Sequence, residues 1–287
     1  MKFRFIQRYA EQYRIRVMCS VLGVSRSGYY AWKKRQPSAR ERANRGLRVL
    51  IRLLHRKSRG TYGYRRVHAA LVAQGVICGQ GRVARLMRNE GLRARRRRRY
   101  KRTTQSRHSW PVAPNHLAQT FVASGPNEKW VTDITYVRTA EGWLYLAVVL
   151  DLYSRLVVGW AMEPFLTDVL TTKALRMAIG NRQPPPGLLH HSDRGRQYAS
   201  GRYQRLLTTH GALASMSRTG NVYDNAPIES FFATLKTELI HHRNYETRQQ
   251  AKAEIFEFIE VFYNRQRLHS ALGYISPMAF ESLSVSP

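Results

Sequence analysis

The chain has 287 residues, and its 48 Lys+Arg against 18 Asp+Glu give a formal charge of +30 and an isoelectric point near 11.1. So basic a balance calls for a polyanionic partner, and the length suits about two domains with a substantial core. Cys19 and Cys78 lie far apart without CxxC spacing, which argues against a disulfide framework or zinc knuckle and suits a reducing cytoplasm. No apolar run approaches the ~18 residues of a membrane span, and the basic start MKFRFIQRYAEQYRIR has no apolar signal-peptide core.

The charge is unevenly placed. Residues 1–110 hold 31 basic and 3 acidic side chains, a net +28, whereas residues 111–287 hold 17 and 15, a net +2. One half is composed to grip phosphates; the other reads as a near-neutral globular domain carrying chemistry. The expected organisation is a basic helical region at 1–100, a basic, Pro-containing linker at 101–127, and a catalytic core with its C-terminal helix and tail at 128–287.

Within Val17–Lys33, apolar residues recur at helical spacing to Leu22, Gly23 breaks the pattern, and Ser25 can cap a second helix. This is helix-turn-helix grammar, with Ser25, Arg26 and Ser27 opening the candidate recognition helix. A second pair follows: Tyr64–Val72, a turn at Gln74-Gly75, then Arg82–Glu90 closed by Gly91. Ordinary helical hairpins would leave the same pattern, and the charge of the region favours DNA contact. Candidate contacts are Ser25 and Arg26 in the first pair and Arg65 and Arg66 in the second. The run Arg93–Arg102 adds Arg95, Arg96, Arg97, Arg98 and Arg99, which suit a phosphate backbone but carry no sequence specificity.

The second half changes character. Lys129–Val137 and Trp143–Leu150 read as strands joined by a hairpin at Glu141-Gly142, and Leu156–Met162 as a third. A helix over Thr167–Ile179, ending at Gly180-Asn181, precedes a short strand, Leu188–His191. A helix over Ser200–His210 and a strand over Ala212–Met216 follow. The order β-β-β-α-β-α-β-α predicts an α/β fold: a mixed five-stranded sheet flanked by helices, the ribonuclease-H-like order, preceded by a small all-α helix-turn-helix region.

Three acids stand out. Alternation on the first strand groups Val131, Asp133, Thr135 and Val137, and a carboxylate in mid-strand is costly unless paired or bound to metal. Asp193 follows a short apolar strand, where sites of open α/β sheets gather, although an Asp-x-Gly turn would look the same. Glu229 lies in the first turn of a helix that Asn225 can cap, with Ile228, Phe231, Phe232, Leu235 and Leu239 as its buried stripe and Lys236 two turns on. Three carboxylates brought together can hold two divalent metals against a phosphodiester.

The stretches LGVSRSGYYAW, YGYRRVHAAL, RVARLMRNEGL, WVTDITYV, GWLYLAVVLDLYSRLVVGW, HSDRGRQYAS, NAPIESFFATLKTEL and FYNRQRLHSALGYISP make the resemblance specific. The chain resembles OrfB-type insertion-sequence transposases with the DDE integrase core, in the group whose transposase arises by frameshift fusion of two reading frames. The resemblance implies a catalytic and metal-binding triad of Asp133, Asp193 and Glu229, with Lys236 touching the DNA end. It implies two Mg²⁺ ions, which Mn²⁺ can replace, and nicking and joining of double-stranded DNA at element ends and target. An upstream-frame (OrfA-type) product or fused segment, a dimer or larger assembly on DNA, and a bacterial cytoplasmic, nucleoid-associated setting are also implied. Arg196 departs from the family's usual Ser after DRG. A ribonuclease-H-type nuclease and a catalytically silent DNA-binding regulator are the competing readings.

Other positions invite plainer roles: Asp151 capping a turn, Asp168 at a helix start, Asp224 in a loop or as a cap. His190-His191 and His241-His242 lack ligand spacing and read as surface or strand-end histidines. The last helix, Thr247–Tyr263, opens with a Thr247/Gln250 capping box, and Asn264, Arg267 and His269 in the polar segment after it are candidates to support the site or contact DNA.

Overall fold

The computed structural model describes residues 1–95, 111–218 and 222–285. It divides into two compact units, Met1–Leu53 and Leu54–Pro287, so that the boundary falls inside a helix.

The first unit contains α1 (Lys2–Arg8), α2 (Ile15–Val21), α3 (Arg26–Lys34) and most of α4 (Ala39–Lys57). Ile6, Met18, Cys19 and Tyr29 form its small core, with Phe3, Leu22 and Trp32 packed around it. The α2–α3 turn follows the expected grammar: Gly23 takes a positive φ of 60°, and Ser25 Oγ accepts the Gly28 N–H at 3.0 Å as the N-cap of α3.

The second unit begins with the end of α4, then α5 (Tyr64–Ala73) and α6 (Gln80–Asn89). Gly75 and Gly91 supply the left-handed residues after each helix, as the sequence predicts. The sheet comprises β1 (Lys129–Thr139), β2 (Gly142–Asp151), β3 (Val157–Glu163), β4 (Leu189–Ser192) and β5 (Leu213–Met216), in the order β3-β2-β1-β4-β5. β1–β2 and β2–β3 are antiparallel, and β1–β4 and β4–β5 parallel. This is the ribonuclease-H-like topology that the element order predicts.

Alternation along the strands gives the sheet two apolar faces. On one, Trp130, Ala147, Val149 and Val158 pack with α7 (Asp168–Arg182), α8 (Arg196–Ala199) and α9 (Gly201–Thr209) through Leu170, Ala174, Tyr198 and Tyr203. α10 (Ala226–Glu238) and α11 (Arg248–Phe256) pack on β1, and α11 also on β2. The chain continues from α11 into a π-helical turn over Glu257–Tyr263 and ends in α12 (Pro277–Val285).

Three expectations are corrected. α7 does not stop at Gly180-Asn181; Arg182 extends it by pairing with Glu281 and donating to Asn127 Oδ1, and Gln183 ends it in the left-handed region. The helix from Thr247 is α-helical only to Phe256; the wider π turn lets Phe258, Ile259, Phe262 and Tyr263 all be buried. In the Thr247/Gln250 box, Thr247 accepts the Gln250 N–H, while the Gln250 side chain reaches back to Glu246 N, one residue early.

Candidate active site

Sheet register brings the two aspartates level. The parallel ladder between β1 and β4 runs to Val131↔His191, so two residues further on Asp133 and Asp193 stand side by side where the strands part. Such a parting point at the C-terminal end of a parallel strand is where open α/β sheets place their ligands. Asp193 Oδ1 accepts the Gly195 N–H at 2.8 Å, which closes the turn after β4. Asp133 Oδ1 accepts the Ile134 N–H at 2.7 Å.

Glu229 arrives from the first turn of α10. Asn225 occupies the cap position but does not cap; its amide donates to Thr132 O of β1 at 3.3 Å, which ties the helix start to the strand carrying Asp133. Asp133 senses both of the other acids. Loss of solvent, then the charge of Asp193 and, less strongly, of Glu229 push the Asp133 carboxyl well above the usual carboxylate range, against the Ile134 N–H and Lys236. Lys236 Nζ lies 5.1 Å from the Tyr136 ring centroid on β1. Partial burial lowers its pKa, with Tyr136 and Asp133 opposing that shift. Tyr198, buried behind the site, is pushed well above its ordinary range by burial and by the charges of Asp133 and Asp193.

The donor set is all carboxylate, which suits a hard divalent cation, and the mutual repulsion felt by Asp133 is what such a cation would relieve. Among the described residues no group of three or more His, Cys, Asp or Glu is gathered closely enough to be a formed metal cluster.

The remaining candidates differ in exposure and partners. Ser25 and Arg26 are exposed at the start of α3, and Arg65 is exposed on α5. Arg66, next to it, is turned into the protein, where its Nε donates to Leu268 O at 2.9 Å. Arg95 Nη1 donates to Glu238 O at 2.6 Å. Arg96, Arg97, Arg98 and Arg99 lie outside the described residues.

Asp151 is fully buried and accepts the Tyr153 and Asn127 N–H groups, the turn role expected of it. His190 and His191 are buried rather than surface residues, because β4 is an interior strand; burial pushes their pKa values down to about 3 and about 4. Asn264 pairs through both arms of its amide with Val157 N and O, capping the edge of β3. Arg267 is buried against Glu238.

Sequence reasoning missed Tyr136 and Glu238, and it gave Asp224 a loop or cap role without its partners. Asp224 is fully buried; burial opposes its charge, yet hydrogen bonds from Arg218 and Gln119 hold its pKa down to about 2. Asn115 also donates to it, so it ties residues 115–119 to the entry of α10. A lone Asp in a polar loop carries no signal of this, since its partners are distant in sequence.

The sheet order, with acids on β1, just past β4 and on α10, is that of an integrase core, the class of polynucleotidyl transferases that act on DNA. Matches to known families agree with that: an integrase core domain over residues 123–222, a second integrase core description over residues 229–285, and an HTH-like domain over residues 41–100. The chain is 50% identical over 263 residues, 92% of its length and 97% of the relative's, to an uncharacterized 31 kDa protein of insertion element IS600 of Shigella sonnei. It is 43% identical, end to end on both chains, to transposase InsF of insertion sequence IS3A of Escherichia coli K12. The HTLV-2 integrase catalytic core in complex with magnesium aligns at 17% identity and a TM-score of 0.44, over 55% of this chain and 99% of that one. The chain belongs to the insertion-sequence transposase family of InsF and is a DDE transposase of the OrfB type. Among the described residues no helix is long and apolar enough to cross a membrane.

Proposed function

We propose that this transposase nicks the 3′ ends of its element and joins the freed 3′-hydroxyl to another DNA strand, with Asp133, Asp193 and Glu229 as its catalytic, metal-holding acids. The observation that supports the reading is the register that sets Asp133 level with Asp193 where β1 and β4 part, with Glu229 on a helix whose start is tied to β1, so that both acids raise the Asp133 carboxyl. When bound, two Mg²⁺ ions (or Mn²⁺) held by the three acids would activate the attacking hydroxyl or water and stabilise the leaving 3′-oxygen. The acids serve as ligands rather than as a proton-transfer pair. Lys236, held over Tyr136, contacts a phosphate of the DNA end as a point charge.

Residues 1–100 carry DNA binding, Arg96, Arg97, Arg98, Arg99 and the linker to 127 follow the backbone, and residues 128–287 carry the chemistry. Ser25 and Arg26, exposed at a capped helix start, enter the groove. An upstream-frame partner or fused segment supplies end recognition, and two chains or more synapse the two ends in the bacterial cytoplasm. The test is a disintegration assay on a branched DNA that mimics a strand-transfer product, with Mg²⁺ or Mn²⁺. Wild-type joining that Asp193→Asn abolishes, with DNA binding kept, supports the reading. Binding without joining by the wild type makes the chain a regulator or an obligate subunit.

A further inference from the structure

The far end of α10, the helix that brings Glu229 and Lys236 to the site, is held by arginines from two distant segments. Glu238, the last residue of α10, is 7% exposed. Arg267 grips its carboxylate with both arms, Nε to Oε2 at 2.8 Å and Nη2 to Oε1 at 2.7 Å. Arg66 of α5 adds its Nη1 4.0 Å from Oε1, donates from Nε to Leu268 O, and lies with its guanidinium 5.8 Å from the Tyr62 ring centroid. Tyr62 Oη donates to Gln266 O at 3.2 Å and accepts the Leu268 N–H at 2.8 Å. Arg95 closes the helix end itself, donating to the Glu238 carbonyl at 2.6 Å.

Cations at a helix C-terminus are favoured by the dipole and satisfy carbonyls that the helix leaves unpaired. A buried ion pair, by contrast, adds little net stability over apolar packing and is best attested where it selects one geometry. The geometry selected here is that of the catalytic helix. Phe231, two residues after Glu229, packs edge-on against Tyr263 at 4.8 Å, and Tyr263 in turn lies under Arg267, so both ends of α10 feel the same cluster. Tyr62, Arg66 and Arg95 all come from the HTH-like segment, and the chain runs from Arg95 directly into the basic run.

We propose that Arg66 and Tyr62 are positioning residues that latch the HTH-like segment onto the C-terminal end of α10 and thereby hold Glu229 and Lys236 in register with Asp133 and Asp193. The kinetic part of this inference rests on the strand-joining function proposed above; the structural part does not. Arg66 acts inside the protein, not on DNA, although it belongs to a basic helix-turn-helix pair.

The test uses the full chain, with Arg66→Met, which keeps the aliphatic stem, and Tyr62→Phe, which keeps the ring and removes both hydrogen bonds. Three quantities are measured: joining on the branched DNA split into kcat and KM, DNA affinity against salt, and hydrogen exchange of residues 226–239. The expected result is a kcat at least tenfold lower, an unchanged KM and salt slope, and faster exchange across 226–239 in both variants. A salt slope shallower by about 0.9 with exchange unchanged would make Arg66 a phosphate contact and overturn the latch. Unchanged kcat with faster exchange would reduce the network to a purely structural one and also overturn it. Should Arg66→Met not fold, Tyr62→Phe decides alone. If the wild type itself does not join DNA, the proposed chemistry fails, and exchange over 226–239 still decides whether the latch exists.

Discussion

The helix pairs α2–α3 and α5–α6 begin from the same pattern, an apolar helix, a left-handed glycine and a second basic helix, and use their arginines in opposite ways. In the first unit, Arg26 projects from the first turn of α3 beside the Ser25 cap, and the unit holds together through Ile6, Met18, Tyr29 and their aromatic neighbours without using it. In the second unit, Arg66 is drawn inward to Leu268 O and Glu238, and Tyr62 beside it is hydrogen-bonded twice to the segment after the π turn. Charge alone does not separate a DNA contact from a structural cation; what separates them is whether an acid or a carbonyl lies waiting in the folded chain.

The sharpest way to break the division of labour between basic helices and sheet is Asp193→Asn. If the sheet unit alone performs the chemistry, joining of the branched DNA falls by about 10³-fold or more while DNA affinity at fixed salt stays within about twofold. A matching loss of affinity in a filter-binding or anisotropy titration would instead place Asp193 in the binding surface.

Stability offers a second contrast. Gly159 of β3 lies where a Cβ would meet Ala174 O at 2.4 Å and Ala178 N at 2.6 Å, so the contact is with helix backbone that cannot swing aside. Gly159→Ala is expected to cost about 3 kcal/mol, the upper range for overpacking, by separating β3 from α7. A urea melt should show that loss, and hydrogen exchange should locate it in β3 and α7 while α1–α3 keep wild-type protection. Equal loosening of α1–α3 would mean the two units do not fold independently.

Acid should divide them again. His190 and His191 are neutral in the fold, with pKa values pushed by burial to about 3 and about 4, against about 6.5 in the unfolded chain. Below 6.5 the unfolded state takes up protons that the native state refuses, so stability is full above that pH and declines as pH falls toward the folded values. The expected slope is up to about 1.4 kcal/mol per pH unit per histidine. The first unit contains no histidine. Urea melts should therefore show falling stability of the sheet unit between pH 7 and 5, to which half-buried His269, also held at about 3, contributes, and His191→Gln, which can keep a bond to Ser215 or Ser217, should make the slope shallower.

Much of this molecule is legible from its amino acids because the informative signals are local. Period-two alternation places Asp133 on β1, the Leu188–His191 run places Asp193 just past β4, and Ile228, Phe231 and Leu235 orient the helix of Glu229. What escapes is non-local. Gly180 looks like a helix stop, but the Arg182–Glu281 pair, 99 residues apart, carries α7 past it. Asn225 looks like a cap, but Thr132 O, 93 residues away, takes its amide instead. The inward turn of Arg66 depends on Leu268, 202 residues on, which no window of sequence displays.

The smallest effect is the most specific to the first unit. Ser25 Oγ accepts the Gly28 N–H at 3.0 Å, and a Cβ at Gly28 would come within 2.7 Å of that hydroxyl, so a side chain at position 28 would press on the cap. Ser25→Ala removes the bond and should cost about 1 kcal/mol in local protection of α3, without altering the melt of the sheet unit. Arg26→Ala should cost no stability and instead weaken DNA binding, with the magnitude of the salt slope lower by up to about 0.9 for the one positive charge removed. The pair therefore distinguishes shape from charge at a single helix start. A Ser25→Ala protein that binds DNA as the wild type does, with Arg26→Ala leaving the slope untouched, would move the DNA-binding face of the first unit away from α3.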